Sequence, residues 1–290
     1  MIPNNNLSVL PLYGSIGQQN AKKWWTYGRV YPLFAYAGNI PPFQLVLEHV
    51  ASPSAAFAVL YDANTGESVS GFSITSLRNG GLTFKQFATI GYDVLVYPAT
   101  SPALQSLSNG RYYMLLQVNN HEYFSEVFTV VNDIQPYLKL EWWDETDLIM
   151  DAGAIVYTSP AFKNVLYLPS DIAKPEYQFE EEGEERDGYF FPVKQISYKQ
   201  YRFGFLAPEY LLDVLRLVRM ADHIRITKNG QQYSLDTFLI TPEWESEGDV
   251  ANVVVEFRTA TVAKRIGVGY ARAGRGDFND DFNNDFNNQQ

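Results

Sequence analysis

Turn-forming residues cut this chain into short runs, and those runs alternate. Residues 111–118 (RYYMLLQV) and 121–131 (HEYFSEVFTVV) flank Asn119-Asn120, a pair that tolerates the positive φ of a primed hairpin turn. Upstream, residues 43–49, 56–61, 70–74, 82–87 and 92–97 read as further strands. Asn64-Thr65-Gly66, Asn79-Gly80-Gly81 and Pro98 separate them. Strands this short, rich in Tyr, Phe, Val, Thr and Ile, have one face to bury and must pair into sheets. An Ig-like β-sandwich is expected over residues 41–133.

A second β unit is expected over 135–270. Residues 137–143 (YLKLEWW) alternate, 144–147 turn, and 165–168 and 190–193 read as strands. In 198–206 (YKQYRFGFL), Tyr201, Phe203 and Phe205 share one face. One helix interrupts the pattern over about 208–221. Pro208 sits where a missing N–H costs nothing, and Leu211, Leu212, Leu215 and Val218 form the apolar stripe. Residues 223–227 and 232–235 pair around Lys228-Asn229-Gly230, and 238–244 and 250–258 around Glu247-Gly248-Asp249. The fold class is therefore all-β: two sandwich- or barrel-like domains, the second with one packed helix. Residues 1–40 show few alternations and read as an extended arm on the same chain or on a neighbouring subunit. Residues 271–290 form a low-complexity tail of Asp, Phe and Asn.

Charge is local. The net charge of -11 includes -5 from residues 180–187 (EEEGEERD) and -3 from residues 274–290, so the rest of the chain is near neutral. A nucleic-acid partner would call for a basic footprint and is not expected. There is no cysteine among the 290 residues, which excludes disulfides, thiolate metal sites and Cys nucleophiles. No spanning helix or export signal is read, and no membrane partner is expected.

Catalytic patterns do not emerge. His49, His121 and His223 stand apart, without a second His at ligand spacing. There is no GxSxG motif and no P-loop. Gly267-Val268-Gly269 begins a dinucleotide fingerprint, but Arg272 occupies the third glycine position. Glu180, Glu181, Glu182, Glu184, Glu185 and Asp187 could bind a hard cation, serve as glycosidase carboxylates, or dock a basic partner surface. The reading preferred for them is a solvated loop. No cofactor, metal site or enzymatic activity is expected.

Protein contact has better candidates. Phe278, Phe282 and Phe286 recur every four residues in DFNDDFNNDFNN, a spacing suited to docking in partner grooves. The tail starts like a calcium loop, but Phe282 stands where that loop needs Gly and Asn288 where it needs Glu. Arg275-Gly276-Asp277 is read as chance. Adjacent strand residues point to opposite faces, so Trp24-Trp25 and Trp142-Trp143 each place at most one ring in a core. The other ring is left for a protein partner or for stacking on sugars.

The run EEEGEERDGYFFPVKQISYKQYRFGFLAPEYLLDVLRLVRMADHIRI resembles proteins of phages and prophages of the Bacteroides group. So do NGQQY, TPEWESEGDVANVVVEF, the basic pair Lys264-Arg265, and upstream IPPFQLVLEH and YFSEVFTVVND. The resemblance covers about residues 24–266. It implies a virion component of the tail, baseplate or neck, made in the host cytoplasm. Such a subunit would assemble with copies of itself into a ring and dock other virion proteins. It brings no catalytic residues. A carbohydrate-binding surface module is the alternative expectation, and a glycoside-acting enzyme a minor one.

Overall fold

The long alternating run at its centre organises the first half of the fold. A computed structural model describes residues 7–14, 33–36, 40–49, 56–75, 83–87, 91–97, 107–118, 120–151, 155–245, 250–259 and 263–265. Trp24, Trp25, Asn119, Asn79-Gly80-Gly81, Pro98, Glu247-Gly248-Asp249, Gly267-Val268-Gly269 and the tail with Phe278, Phe282 and Phe286 lie outside the described residues.

The first strands in chain order are β1 (Leu12–Tyr13), β2 (Phe34–Tyr36), β3 (Phe43–Glu48), β4 (Phe57–Asp62) and β5 (Ser68–Thr75). They are followed by β6 (Thr83–Phe87), β7 (Tyr92–Tyr97), β8 (Gly110–Val118), β9 (His121–Ser125) and β10 (Phe128–Val131). β4 covers one edge of β8, from Phe57↔Gln117 to Asp62↔Tyr112. Beyond β4 lies β5, across a turn in which the Asp62 carboxylate accepts the Asn64 and Thr65 amides at 2.7 and 3.0 Å.

β9 and β10 share the other edge of β8. The expected single strand over 121–131 is broken: the register steps by one residue between Leu115↔Phe124 and Tyr112↔Phe128, which marks a bulge. Ser125 fills the gap. Its hydroxyl accepts from the Met114 amide at 2.8 Å and donates to the Glu126 carbonyl at 2.8 Å.

A three-stranded sheet, β3-β7-β6, packs over this layer. Alternation turns Phe43, Leu45, Leu47, Leu95 and Tyr97 into the main core and sends Val46, Val94 and Val96 to the other side. Those valines meet Tyr157 and Phe162 from the second half of the chain. The buried Gln44 side chain donates to the Leu7 carbonyl at 3.2 Å and accepts from the Tyr157 amide at 2.8 Å, joining three distant segments.

The second half contributes β11 (Leu138–Trp143), β12 (Leu148–Asp151), β13 (Ile155–Thr158), β14 (Asn164–Leu168), β15 (Glu176–Arg186) and β16 (Tyr189–Pro208). After the helix come β17 (His223–Lys228), β18 (Gln231–Glu243), β19 (Val250–Thr259) and β20 (Ala263–Arg265). Among the described residues the fold is all-β with one short helix.

Two short stretches of the expected arm, residues 12–13 and 34–36, are strands of the sheet. β1 pairs with β9, and β2 pairs parallel with β10 on one side and antiparallel with β14 on the other. One sheet therefore runs β1-β9-β8-β10-β2-β14-β11-β17-β18-β19-β16-β15 through both halves of the chain.

The helix is shorter than the stripe suggests. α1 spans Glu209–Leu215 after Pro208, and Val218–Met220 tighten into a 3-10 turn. The Leu217 amide reaches only to the Val214 carbonyl, at 3.1 Å, and this tightening carries Val218 into the core. Two expected strand pairs are merged. Residues 190–193 and 198–206 belong to one strand, β16. Residues 232–235 and 238–243 both belong to β18, whose register shifts between Leu235 and Thr237.

Candidate interaction surface

The acidic segment is a strand, which corrects the expected solvated loop. Asp187 (φ 51) and Gly188 (φ 79) form the primed turn that returns β15 along β16. Pairing runs from Glu176↔Gln200 to Arg186↔Tyr189, with a bulge opposite Gly183. On its other edge β16 takes β19 up to Gln200↔Arg258 and β20 up to Gln195↔Arg265. Among the described residues, the hairpin beyond Gln195 is a free two-stranded ribbon.

Strand alternation divides the carboxylates between two faces. Glu180, Glu182 and Glu184 share one face. Glu182 pairs with Lys194 at 3.1 Å, and Glu180 lies 3.9 Å from Arg258. Tyr198 donates its hydroxyl to Glu180, and that hydrogen bond pushes the phenol up from its ordinary value. Glu181 and Glu185 point to the opposite face, where Glu181 accepts from the Gln195 side chain. A shared cation would need these oxygens to converge. Among the described residues no cluster of three or more His, Asp or Glu is placed to hold one.

The face carrying Glu181 also carries the apolar residues. It continues outward from Phe203 and Phe205, which are buried in the core. Along the hairpin it presents Tyr177 (72% exposed) and Phe179 (60%) on the edge strand β15, and Val193 (53%) and Phe190 (50%) in the free ribbon. The charge of FEEEGEERDGYFF masks these side chains in the sequence. Asp187-Gly188 between two apolar flanks was the available signal.

The other expected sites sit differently. Trp142 is buried at 3% exposure within the main core. Trp143 points the other way, but it stacks on His223 at 5.1 Å with the Lys163 and Arg225 cations 4.4 and 4.9 Å from its ring. His223 meets Glu145 at 2.9 Å, and His49 meets the buried Asp93 at 2.7 Å, whereas His121 is exposed at the start of β9. A cavity of about 110 Å³ lies among Phe34, Tyr36, Tyr167, Lys139 and Lys163. Pockets for small molecules typically measure about 300–1,000 Å³, so this one is undersized. Burial, with the Glu141 charge and then Tyr36 adding to it, pushes the Tyr167 phenol up to about 12. Tyr13 is raised further, by burial and then by Glu126, to which it donates at 3.1 Å. No helix among the described residues is long and apolar enough to cross a membrane.

No family model matches the chain, and no curated protein matches it. Solved structures give distant likenesses. The ZIG-8–RIG-5 IG1–IG1 heterodimer is 12% identical over 36% of this chain and 83% of that one, with a TM-score of 0.16. The ZIG-8 IG1 homodimer is 12% identical over 41% and 100%, with a TM-score of 0.17. A cycloalternan-degrading enzyme from Trueperella pyogenes is 10% identical over 82% of this chain and 33% of its own length, with a TM-score of 0.19. At these TM-scores none of them assigns a fold or an activity.

Proposed function

We propose that this chain is a non-enzymatic structural subunit that docks onto copies of itself through the β15–β16 hairpin, forming a ring in the virion of a tailed phage. The ribbon face with Tyr177, Phe179, Val193 and Phe190 carries the reading. Four large apolar side chains exposed on one face, interrupted by the Glu181–Gln195 pair, suit a protein interface that mixes apolar and polar contacts. The virion context comes from the sequence resemblance, as do other virion proteins as partners.

In this reading the ribbon seats on a different surface of the next copy, a heterologous contact that gives a ring where the rotation between copies closes. Magnitudes favour closure over a lone dimer. Covering the exposed parts of three aromatic side chains removes on the order of 300 Å², worth about 7 kcal/mol gross. Association costs about 4–15 kcal/mol, so one contact is marginal and a closed set is not.

Native mass spectrometry and negative-stain imaging of the purified protein test this. Rings are expected, and the chain should be found in purified particles. A triple variant (Tyr177→Ser, Phe179→Ser, Phe190→Ser) should remain folded and become monomeric. A wild-type protein that is strictly monomeric and absent from particles would overturn the proposal.

A further inference from the structure

Two buried oxygens meet where β11 ends. Alternation turns Trp142 and Asp144 inward while Trp143 faces out, and Asn164, opposite Trp142, joins them on the inner face. The Asp144 side chain, 2% exposed, accepts the Asp222 amide on Oδ1 at 3.0 Å. Asp222 in turn accepts the Glu145 amide at 3.0 Å, so the end of β11 is tied to the start of β17. That exchange leaves Asp144 Oδ2, which is buried with no hydrogen-bond partner among the described residues. The same holds for the hydroxyl of Thr158 on β13, a residue 3% exposed. Burying such atoms unsatisfied is costly, so each calls for a partner.

Both residues line one cavity of about 10 Å³, together with Asn164, and Trp142, Val156 and Leu217 close it. Gln44, also in the wall, is already engaged by the Leu7 carbonyl and the Tyr157 amide. Size and chemistry select the occupant. A water needs about 10–15 Å³ and about two to four polar partners. It can donate to Asp144 Oδ2 and accept from the Thr158 hydroxyl, with the Asn164 amide beside it. A hard cation takes about six or more oxygens, and among the described residues no cluster of three or more His, Asp or Glu is placed to hold one.

The β12–β13 hairpin is the element that such a bridge would hold. Among the described residues these strands pair only with each other, from Leu148↔Thr158 to Asp151↔Ile155. A lone two-stranded hairpin is marginal in water and must be fastened to a larger body. Tyr157 fastens one face, among Val46, Val94 and Val96. Val156 fastens the other, against Leu7 and Leu217. Thr158 lies on the Val156 face, two residues further along, where the apolar contacts give way to the Asp144 carboxylate.

We propose that one ordered water, bridging Asp144 Oδ2 and the Thr158 hydroxyl, fastens the β12–β13 hairpin to the end of β11. Thr158→Val in the full chain tests this, because the sign of its effect depends on the water. Valine keeps the shape and removes the hydroxyl. Losing the water strands Asp144 Oδ2, so Tm should fall by roughly 2–8 °C. Amides of residues 148–151 and 155–158 should exchange at least about tenfold faster. Water relaxation dispersion should count one fewer long-lived internal water in Thr158→Val than in the wild type, and Thr158→Ser, which keeps a hydroxyl, should retain it. An equal count in the wild type and Thr158→Val overturns the proposal whatever Tm does. An unchanged or raised Tm in Thr158→Val overturns it too, since a methyl group then relieves an orphaned hydroxyl. Exchanging sodium for choline at equal ionic strength should leave the wild-type Tm unchanged. A fall without sodium would overturn the proposal by assigning the cavity to a cation.

Discussion

Ser125→Ala is the sharpest probe of the bulge on which the arm depends. Ser125 is completely buried, and its hydroxyl is the acceptor for the Met114 amide in the middle of β8. Alanine leaves almost no cavity but strands that N–H without a partner. An unsatisfied buried donor costs about 1–3 kcal/mol. The hydroxyl's own bond to the Glu126 carbonyl is lost with it, so the estimate is about 2 kcal/mol. For a chain of this size that corresponds to a fall of roughly 4–8 °C in Tm. Differential scanning calorimetry measures the shift, and exchange of the Met114 amide locates it. Ser234→Ala, at an exposed position on β18, is the control. If Ser125→Ala melts with that control and the Met114 amide keeps its protection, the hydroxyl is not closing the bulge.

The two adjacent tryptophans should separate in chemical denaturation. Trp142→Ala is expected to cost about 3–5 kcal/mol by emptying the core, and Trp143→Ala about 1–2 kcal/mol for its cation contacts. Tyr167, with its phenol pushed up to about 12, contributes stability that is complete below pH 10 and is lost as the pH rises through about 12. Melting curves at pH 9 to 12 should therefore fall less steeply for Tyr167→Phe than for the wild type. Millimolar calcium, or a chelator, should leave the melting temperature unchanged, because Glu180, Glu181 and Glu182 are divided between two faces and engaged by Arg258, Gln195 and Lys194.

What the sequence revealed depended on how local each signal was. The strands at 43–48, 57–62, 92–97 and 110–118 were legible because their alternation and turn residues lie within a few positions of each other. Lys228-Asn229-Gly230 was legible for the same reason, and Asn229 and Gly230 do adopt φ 50 and 77. β1 and β2 were not, since a strand of two or three residues has no periodicity and is held by partners about 95 to 133 residues away. The hairpin β12–β13 is local, but strands of four residues are too short for their alternation to stand out. The acidic run hides its strand character behind a charge density that is also typical of solvated coil. On an edge strand charge is common, since it discourages further pairing. Trp142 and Trp143 were correctly expected to face opposite ways, but only the fold shows His223, Lys163 and Arg225 closing over the outer ring.

The place of β2 between β10 and β14 sets an order of events during synthesis. Residues 34–36 leave the ribosome early, yet one of their neighbouring strands ends at residue 131 and the other at residue 168. At about 5–20 residues per second, these residues wait roughly 7–26 s for both partners. Through that interval the apolar residues Leu33 and Ala35, buried in the finished fold, lack the two strands that flank β2. Such non-local pairing makes folding slow, and a nascent chain of this design gains from a chaperone that holds its first segment until the middle of the sequence has emerged.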